Sequence, residues 1–470
     1  MPAPSSPEPI TALAWVVEHR ERLVEDLAAC CRIPSVACEE RGELARMADW
    51  LTERLRPLLD EVEQLPVADA PPAVVGRARG SGAASVLLYS HYDVQPAEPL
   101  DAWSVPPFAA RPEGGRLVAR GVADDKADVM ARVHALEALR ATGRPLPCTV
   151  VWLSEGAEET GSAGLADFLR AEHERLAADA CLWESYLLRD DGRPEIGFGC
   201  RGLVYVELTL RTLRRDQHSA FAGVFRSAPL ELARALATLA AADGRPTIDG
   251  LAERALAFNA ADLKAVAGIP APSAAEAALD GRDPYVDRAR AELGRRLVTE
   301  ATVNVAGIVA GHTDPGAKTV LPAEARAKLD LRLVPGQTPG DAVALLRAHL
   351  DRRGFADVEI DVLHSVPAAK SAIDFPLAEA VTQAARELHG EPIRYPLVPG
   401  GGPLHLLEES LAIPTVMPPG STRMSSGIHA PDEHVLIDDY LTHVAFTIRT
   451  LELLGELSDA HTQRGTRRNG

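Results

Sequence analysis

The sequence predicts an α/β fold in which helices flank a mostly parallel sheet. Apolar strand patterns at 85–88, 148–153 and 180–183 alternate with helical patterns such as the alanine-rich stretch 129–142. This alternation is typical of βαβ units, whose strands run parallel. Ligands bind to such sheets at the carboxyl ends of the strands, so the residues that follow each strand are the first candidates for a site.

The length of the chain predicts a second domain. At 470 residues the chain exceeds what one hydrophobic core usually supports, and two domains of unequal size are expected. From residue 203 the pattern changes to strands at 204–210 and 325–333 with a helix at 229–242. After this second domain the chain returns to the first domain, where a helix is predicted at 376–388.

Composition excludes several classes of partner. The net charge of -18 argues against nucleic acid or an anionic membrane surface, because both need a basic protein surface. The six cysteines form no C-x-x-C pair and are expected to be reduced. Residues 1–10 lack a basic start and an apolar core, and no apolar run approaches the ~18 residues of a membrane span. We therefore expect a cytoplasmic protein.

The first strand delivers a histidine to the expected site. Helical patterns at 12–31 and 44–59 precede the strand 85–88, which leads into His91 and Asp93. Residues two apart in an extended chain point the same way. Asp93 can then fix the tautomer and orientation of a metal-binding His91. In isolation, however, a His-x-Asp sequence is more typical of a surface turn.

Two adjacent aspartates follow a short apolar run at 117–119, which is expected to end a strand of the same sheet. Burying Asp124 and Asp125 next to such a run is costly unless a cation compensates them, and a metal ion is the usual one. The alternative is a solvated turn with a salt bridge to Lys126.

Acidic residues also follow the next two predicted strands. Glu158 and Glu159 come after the strand 148–153, and Glu184 comes after the strand 180–183. A solvated acidic loop is the alternative for Glu155, Glu158 and Glu159. Repetition of acids and a histidine at successive strand ends weakens that alternative, because these ends meet at one edge of the sheet.

These segments, in this order, resemble the M20 metallopeptidase family, and within it the carnosinase-type and bacterial dipeptidases. The matching segments are His91-x-Asp93 with Val94, Gln95 and Pro96, Gly121-x-x-Asp124-Asp125-Lys126, Glu155-Gly156-x-Glu158-Glu159-x-Gly161-Ser162, Glu184, and His429 followed by Ala430, Pro431, Asp432 and Glu433. The resemblance implies a catalytic domain interrupted by an α+β lid domain through which subunits dimerise. We place the catalytic domain at residues 1–202 and 364–470 and the lid at 203–363.

The resemblance also implies a pair of metal ions. Asp124 would bridge both ions, His91 and Glu184 would complete the ligands of one, and Glu159 and His429 those of the other. Zinc suits this mixture of imidazole and carboxylate best, while manganese or cobalt would also fit. In the family, the peptide bond between the residues matching Asp124 and Asp125 is cis.

Three residues receive catalytic roles from the resemblance. Glu158 would be the general base for the attacking water, and Asp93 would orient His91. His218, in the segment Asp216-x-His218-Ser219, would reach into the partner subunit and stabilise the oxyanion. The alternative for His218 is a capped loop histidine.

Substrate binding is assigned in the same way. Arg332 would pair with a free carboxylate of the substrate, for which its planar guanidinium is well suited. Thr319 would assist from the other subunit, and Asn304 would face the cleft. The alternative for Arg332 is a salt bridge on the sheet surface.

The glycine loop departs from the dipeptidase pattern. Gly401 and Gly402 lie in the loop Pro399-Gly400-Gly401-Gly402-Pro403, which suits close approach by a ligand. The dipeptidases have Glu, Gly, Gly and Ser there, so neither that Glu nor that Ser is present here. Glu184, where the carnosinase-type enzymes have Asp, is a milder departure.

The sequence thus predicts a dimeric metallohydrolase that cleaves an amide next to a free carboxylate, with a dipeptide or dipeptide-like substrate. An N-acyl-amino-acid deacylase of the aminoacylase or desuccinylase kind is the alternative enzyme. A non-catalytic peptide- or metal-binding module is the alternative of another class. Substrate side chains, the physiological metal, and a catabolic or biosynthetic role all stay open.

Overall fold

The computed structural model describes residues 11–37, 41–270 and 293–468. Within the chain, contacts define two compact units. The first is Met1–Phe198, Ser371–Arg394 and Leu406–Gly470, and the second is Gly199–Lys370 and Tyr395–His405. The domain limits predicted at residues 203 and 363 lie close to these divisions and stay a prediction.

The regular elements of the described residues are numbered in chain order. The α-helices are α1 (Ala12–Glu18), α2 (Arg20–Cys31), α3 (Arg41–Leu55), α4 (Ala127–Ala141), α5 (Leu165–Ala171), α6 (Ala228–Leu236), α7 (Ala260–Ala267), α8 (Leu293–Thr299), α9 (Pro339–Arg352), α10 (Pro376–Leu388), α11 (Leu404–Leu411) and α12 (Ile437–Arg468). The strands are β1 (Glu61–Leu65), β2 (Ala73–Ala78), β3 (Ser85–His91), β4 (Arg111–Glu113), β5 (Arg116–Val118), β6 (Thr149–Glu155), β7 (Ala180–Leu182), β8 (Tyr186–Leu188), β9 (Glu195–Gly197), β10 (Gly199–Cys200), β11 (Gly202–Arg211), β12 (Gln217–His218), β13 (Thr302–Ala310), β14 (Val320–Leu321), β15 (Glu324–Leu333), β16 (Val358–Val366), β17 (Ala369–Lys370), β18 (Ile393–Tyr395), β19 (Thr415–Val416), β20 (Pro419–Arg423) and β21 (His434–Leu436).

A six-stranded sheet with the order β1-β2-β6-β3-β7-β19 forms the centre of the first unit. The strands from β6 to β19 are parallel, while β1 and β2 are antiparallel to their neighbours. The predicted α/β fold is therefore confirmed, with a mixed sheet whose antiparallel part lies at one edge. β1 and β2 are joined by a short connection, which suits an antiparallel pair and is too short for a parallel crossover.

The parallel strands β3 and β6 are almost fully buried, because helices cover the sheet. Helix α4 is also buried along most of its length, which explains its many alanines, and it packs against α1 and α12. Register places His91 opposite Glu155, so β3 and β6 end level at the same edge of the sheet. That edge carries the candidate site.

The second unit is built on a four-stranded antiparallel sheet with the order β13-β15-β11-β16. Along β15, buried residues alternate with more exposed ones, as expected for a sheet with one covered face. Helices α6 and α9 pack against the sheet, and residues such as Leu208, Leu232, Leu329 and Leu346 form its core. This is the α+β character that the sequence predicts for the inserted domain.

Two local expectations are wrong. The helix predicted at 12–31 is two helices, α1 and α2, separated at His19. Asp124 also does not follow a strand of the central sheet. The strand before it, β5, pairs instead with β4 and β21 in a separate three-stranded sheet. A strand's partners are set by tertiary contacts, which the local pattern does not contain.

The cysteines fit the prediction of buried thiols where they are described. Cys30, Cys31, Cys148, Cys181 and Cys200 are buried, while Cys38 lies outside the described residues. The prediction that residues 1–10 are not a signal peptide also concerns residues outside those that the structure describes. Among the described residues, none of the helices combines the length and the apolar character that crossing a membrane requires.

Candidate metal centre

His91 is the centre of a first group of ligands at the carboxyl end of β3. Its ring is fully buried, and its Nε2 lies 2.9 Å from Asp124 Oδ1 and 3.3 Å from Glu184 Oε2. Its Nδ1 lies 3.3 Å from Asp93 Oδ1 and 3.1 Å from the Asp93 carbonyl. Asp93 therefore occupies the orienting position predicted for it, and Nε2 faces the carboxylates.

His429 is the centre of a second group. Its Nε2 lies 3.1 Å from Asp124 Oδ2 and 3.2 Å from Glu159 Oε2. Its side chain is 49% exposed, whereas that of Glu159 is only 4% exposed. The second group is thus open to solvent on the His429 side, in contrast to the fully buried His91.

Asp124 connects the two groups, with one carboxylate oxygen directed to each histidine. It lies in a helical turn, Val122–Lys126, that leads into α4, and its own φ of -141° interrupts the helical conformation. The peptide bond between Asp124 and Asp125 is cis, as the resemblance implies. The five predicted ligands therefore come together around one shared aspartate.

Asp125 has a different task from its neighbour. It lies close to His91 and Glu184 and could supply a ligand atom to the first group. One of its oxygens, however, accepts the backbone N–H of His91 at 3.1 Å. This contact makes Asp125 a support for the end of β3, and Asp124 stays the predicted ligand.

Several contacts position Glu159. The two oxygens of Asp93 accept the backbone N–H groups of Glu158 and Glu159 at 3.3 and 3.1 Å. The Gln95 amide donates to Glu159 Oε2 at 2.9 Å. Gln95 belongs to the same family-like segment as His91 and Asp93, and this supporting role is not predicted from the sequence.

Glu184 is held from both sides. The Arg132 guanidinium donates to the carbonyls of Tyr89, in β3, and Trp183, immediately before Glu184. Ser185, immediately after it, donates its hydroxyl to Asp128 Oδ1 at 2.7 Å. Helix α4 thus supplies the side chains that fix this ligand loop against the sheet.

The donor set fits divalent cations. Two imidazoles with three carboxylates are ligands that zinc and similar ions accept. Glu159 Oε1 is buried without a hydrogen-bond partner among the described residues, which is costly unless a cation lies there.

The negative charges also act on Glu158. Burial, with the charges of Glu184 and Asp124, raises the pKa of Glu158 to about 9, so this cleft opposes further negative charge. A neighbouring cation would favour the ionised carboxylate and lower that pKa.

Two of the alternatives proposed from the sequence, the solvated turn at Asp124 and the solvated acidic loop at Glu155, do not hold. Lys126 is fully buried and donates to the carbonyls of Cys30 and Ile33 at 3.3 and 2.6 Å, so it does not pair with Asp124 in a solvated turn. Glu155 is not part of a solvated loop, because it is buried and accepts the hydroxyls of Tyr89 and Ser162.

A third cluster of a histidine and two acids differs from the two candidate metal groups because arginines compensate its charge. Asp26, His134 and Glu137 also lie close enough to hold a cation. Both acids, however, pair with Arg22 and Arg54 at 2.8–2.9 Å. Arginine already compensates this cluster, and we read it as an ion-pair network.

The remaining predicted site residues belong to the second unit. His218 Nε2 lies 3.4 Å from Thr319 Oγ1, and its Nδ1 accepts the Ala220 N–H at 3.1 Å. Asn304 donates to Asp330 Oδ2 at 2.7 Å. The roles of these three residues toward substrate stay predictions.

Arg332 and the glycine loop are neighbours within the second unit. A Cβ added at Gly401 would lie 3.4 Å from Arg332 Nη1, and one added at Gly402 would lie 3.9 Å from Cys200 Sγ. The nearest carboxylate contact of Arg332 is to Asp330, at 3.9 Å from its Nε. This long contact leaves Arg332 without a close acidic partner among the described residues.

A family model matches most of the chain. The model described as Peptidase family M20/M25/M40 matches residues 87–453. The Cys-Gly metallodipeptidase dug1 of Schizosaccharomyces pombe is 28% identical over 354 residues, which cover 71% of this chain and 74% of the relative. The Beta-Ala-His dipeptidase of Rattus norvegicus is 26% identical over 351 residues, covering 71% of each.

Solved structures show the same fold. An M20 family metallo-carboxypeptidase from Sulfolobus solfataricus superposes with a TM-score of 0.81 at 30% identity, covering 92% of this chain and 99% of that one. The dipeptidase Dug1p of Saccharomyces cerevisiae superposes with a TM-score of 0.75 at 23% identity, covering 95% and 98%.

We predict that Asp124→Asn removes metal from both groups, because both histidines share this one carboxylate. The measurement is metal content by mass spectrometry after dialysis of enzyme loaded with zinc. Asp26→Asn, in the arginine-paired cluster, is the matched control and should keep the wild-type metal content. An Asp124→Asn protein that holds two ions as tightly as wild type would contradict the shared-ligand assignment.

Proposed function

The chain belongs to peptidase family M20/M25/M40, and we propose that it is a metal-dependent dipeptidase that cleaves the amide bond of a substrate with a free carboxylate. The observation that carries the proposal is the pair of histidine-carboxylate groups around Asp124. Such a pair suits two divalent ions, of which zinc is the proposed identity, with manganese or cobalt as alternatives. A binding module would need no general base next to these ligands.

The reaction uses a small number of groups from the chain. Bound at this place, a pair of divalent cations supplies Lewis-acid chemistry to a carbonyl group and a water. Glu158 takes a proton from the attacking water and returns it to the leaving amine. Asp93 keeps the His91 ring in the orientation that directs Nε2 to the carboxylates. Glu159, tied by Gln95, stays a ligand and does not compete for the proton.

We predict that Glu158→Gln keeps the metal content and lowers kcat by roughly 10²–10⁴-fold, because the base is lost and the ligands remain. Glu159→Gln, one position later, is the matched variant and should lose metal as well as activity. Metal analysis and steady-state kinetics on the same preparations separate the two. Near-wild-type kcat in Glu158→Gln would remove this residue from the base role.

The substrate class rests on similarity and on Arg332 of the second unit, whose nearest acidic contact, to Asp330, is 3.9 Å long. The relatives named above are a Cys-Gly metallodipeptidase and a Beta-Ala-His dipeptidase. Arg332, with no close acidic partner among the described residues, is suited to bind the substrate carboxylate bidentately. Thr319 of the other subunit would assist Arg332, and Asn304 would face the substrate. Gly401 and Gly402 would let the substrate approach the loop backbone.

Specific observations also favour two other enzyme functions, an N-acyl-amino-acid deacylase and a carboxypeptidase. The loop Pro399-Gly400-Gly401-Gly402 offers no acidic side chain to bind a free amino terminus, which favours an N-acyl-amino-acid deacylase. The similarity to a metallo-carboxypeptidase at 30% identity favours cleavage of longer peptides. Both functions share the carboxylate-binding role of Arg332.

We predict the highest kcat/KM on unblocked dipeptides. The assay compares a dipeptide, its N-acetylated form, the N-acyl derivative of its carboxyl-terminal residue and a longer peptide with the same carboxyl-terminal residue. Amidation of the carboxyl terminus should abolish cleavage in wild type. Arg332→Lys should raise KM by a larger factor than it lowers kcat, because lysine cannot make the bidentate contact with the substrate carboxylate. Preference for the acylated amino acid would replace the dipeptidase proposal with the deacylase.

We also propose a homodimer in which His218 acts in the partner's site. The edge strand β13 carries exposed apolar residues, with Val305, Ile308 and Val309 exposed by 41–62%. An apolar edge strand is usually covered or paired. The exposed His218, beside Thr319, is available to a partner subunit. The cytoplasmic location expected from the sequence stays a prediction.

Mixing two inactive variants tests the action of His218 across subunits. Glu158→Gln and His218→Ala, each inactive alone, should regain roughly a quarter of wild-type activity after subunit exchange, because half of the dimers are hybrids with one intact site. Size-exclusion chromatography confirms that exchange has produced dimers. No recovery from verified hybrid dimers would place His218 in its own subunit's site or outside the reaction.

A further inference from the structure

Glu433 lies four positions after His429, in the segment that leads into β21. Its side chain is only 1% exposed, and its backbone carbonyl accepts the Ala119 N–H at 3.0 Å. β21 pairs with β5, the strand before the Asp124 turn. This pairing brings the His429 segment alongside the Asp124 segment, although more than three hundred positions separate them.

The Glu433 carboxylate accepts hydrogen bonds from four donors, which all belong to residues 120–124, at the start of the turn that carries Asp124. Oε2 accepts Arg120 Nη1 at 2.6 Å and the Gly121 N–H at 2.8 Å. Oε1 accepts the Ala123 N–H at 2.8 Å and the Asp124 N–H at 3.2 Å. Both oxygens therefore act as acceptors only, and one side chain fixes three backbone positions of the turn.

The turn needs such an acceptor because its backbone is irregular. Gly121 has a φ of +79°, and Asp124 departs from helical geometry. The N–H groups of these residues therefore have no regular helical partners, and buried N–H groups need acceptors. Arg120 itself is 1% exposed, donates to the Pro96 carbonyl at 3.1 Å and packs over the Trp103 ring. The Glu433–Arg120 pair is thus anchored in the protein interior.

We propose that Glu433 is a positioning residue for the whole centre, since it fixes both the shared ligand Asp124 and the segment of His429. It contacts neither the histidine rings nor the expected place of substrate. Its effect is exerted through the main chain of Asp124, whose two oxygens serve the two groups. The proposal rests on the proposed metal-dependent function, but its measurement does not need a substrate.

The test is the zinc affinity of purified protein, measured by competition with a chelator. Glu433→Gln keeps the side-chain size but places an amide N–H₂ against N–H donors. It should weaken zinc binding by roughly 10–100-fold, the usual loss when a supporting contact of a ligand is removed. Both ions should be affected, because both depend on Asp124. At saturating zinc, KM should change little while kcat falls.

Asp262→Asn is the matched control, because Asp262 is also 2% exposed and pairs with Lys370 at 3.0 Å in the second unit. It should lower thermal stability without changing the affinity for zinc. If Glu433→Gln fails to fold, Arg120→Lys provides the second variant, which loosens the same pair and should weaken zinc binding several-fold. Wild-type zinc affinity in the variants of this pair that fold would overturn the proposal. A wild type that binds zinc but hydrolyses no dipeptide would instead overturn the proposed function alone.

Discussion

The crowding of negative charge around Asp124 is the constraint on which the rest of this structure depends. Glu159, Glu184 and Asp124 converge on two imidazoles, and Glu158 stands beside them. Ionised carboxylates in a partly buried cleft are unfavourable unless cations compensate them. Arginines perform that task in the Asp26 cluster, but no arginine or lysine pairs with these acids among the described contacts. The centre is therefore built to be completed by metal ions.

A second layer of acceptors makes this arrangement rigid. Asp93, Asp125 and Glu433 accept backbone N–H groups of the segments that carry the ligands. His91, Glu159 and Asp124 are therefore placed through their main chains as well as their side chains. Such preorganisation lowers the reorganisation required when an ion binds. It also separates the tasks of adjacent residues, since Glu159 is tied by Gln95 while Glu158 is available for proton transfer.

The second unit supplies a different kind of chemistry. Arg332 is a cation with only a distant acidic neighbour, and it lies beside a loop whose glycines present backbone without side chains. A carboxylate ligand would satisfy the arginine, and the loop would accept ligands of varied shape. The loop lies in the second unit and the five proposed ligands lie in the first, so a change in the loop need not change the ligand set.

The sequence by itself determined the fold class and the strands β3, β6 and β7, and it singled out the five proposed ligands that the structure brings together. Chemistry-bearing residues at strand ends leave a local signal, and their order along the chain is specific. Only the tertiary structure decided how the segments meet. It placed Asp124 after a strand of a separate small sheet, because the partner β21 lies far along the chain. It also revealed the supports Gln95, Asp125 and Glu433, whose roles consist of contacts between distant segments. A glutamate that accepts four N–H groups has the same local signature as a glutamate in solvent, and only the folded chain distinguishes them.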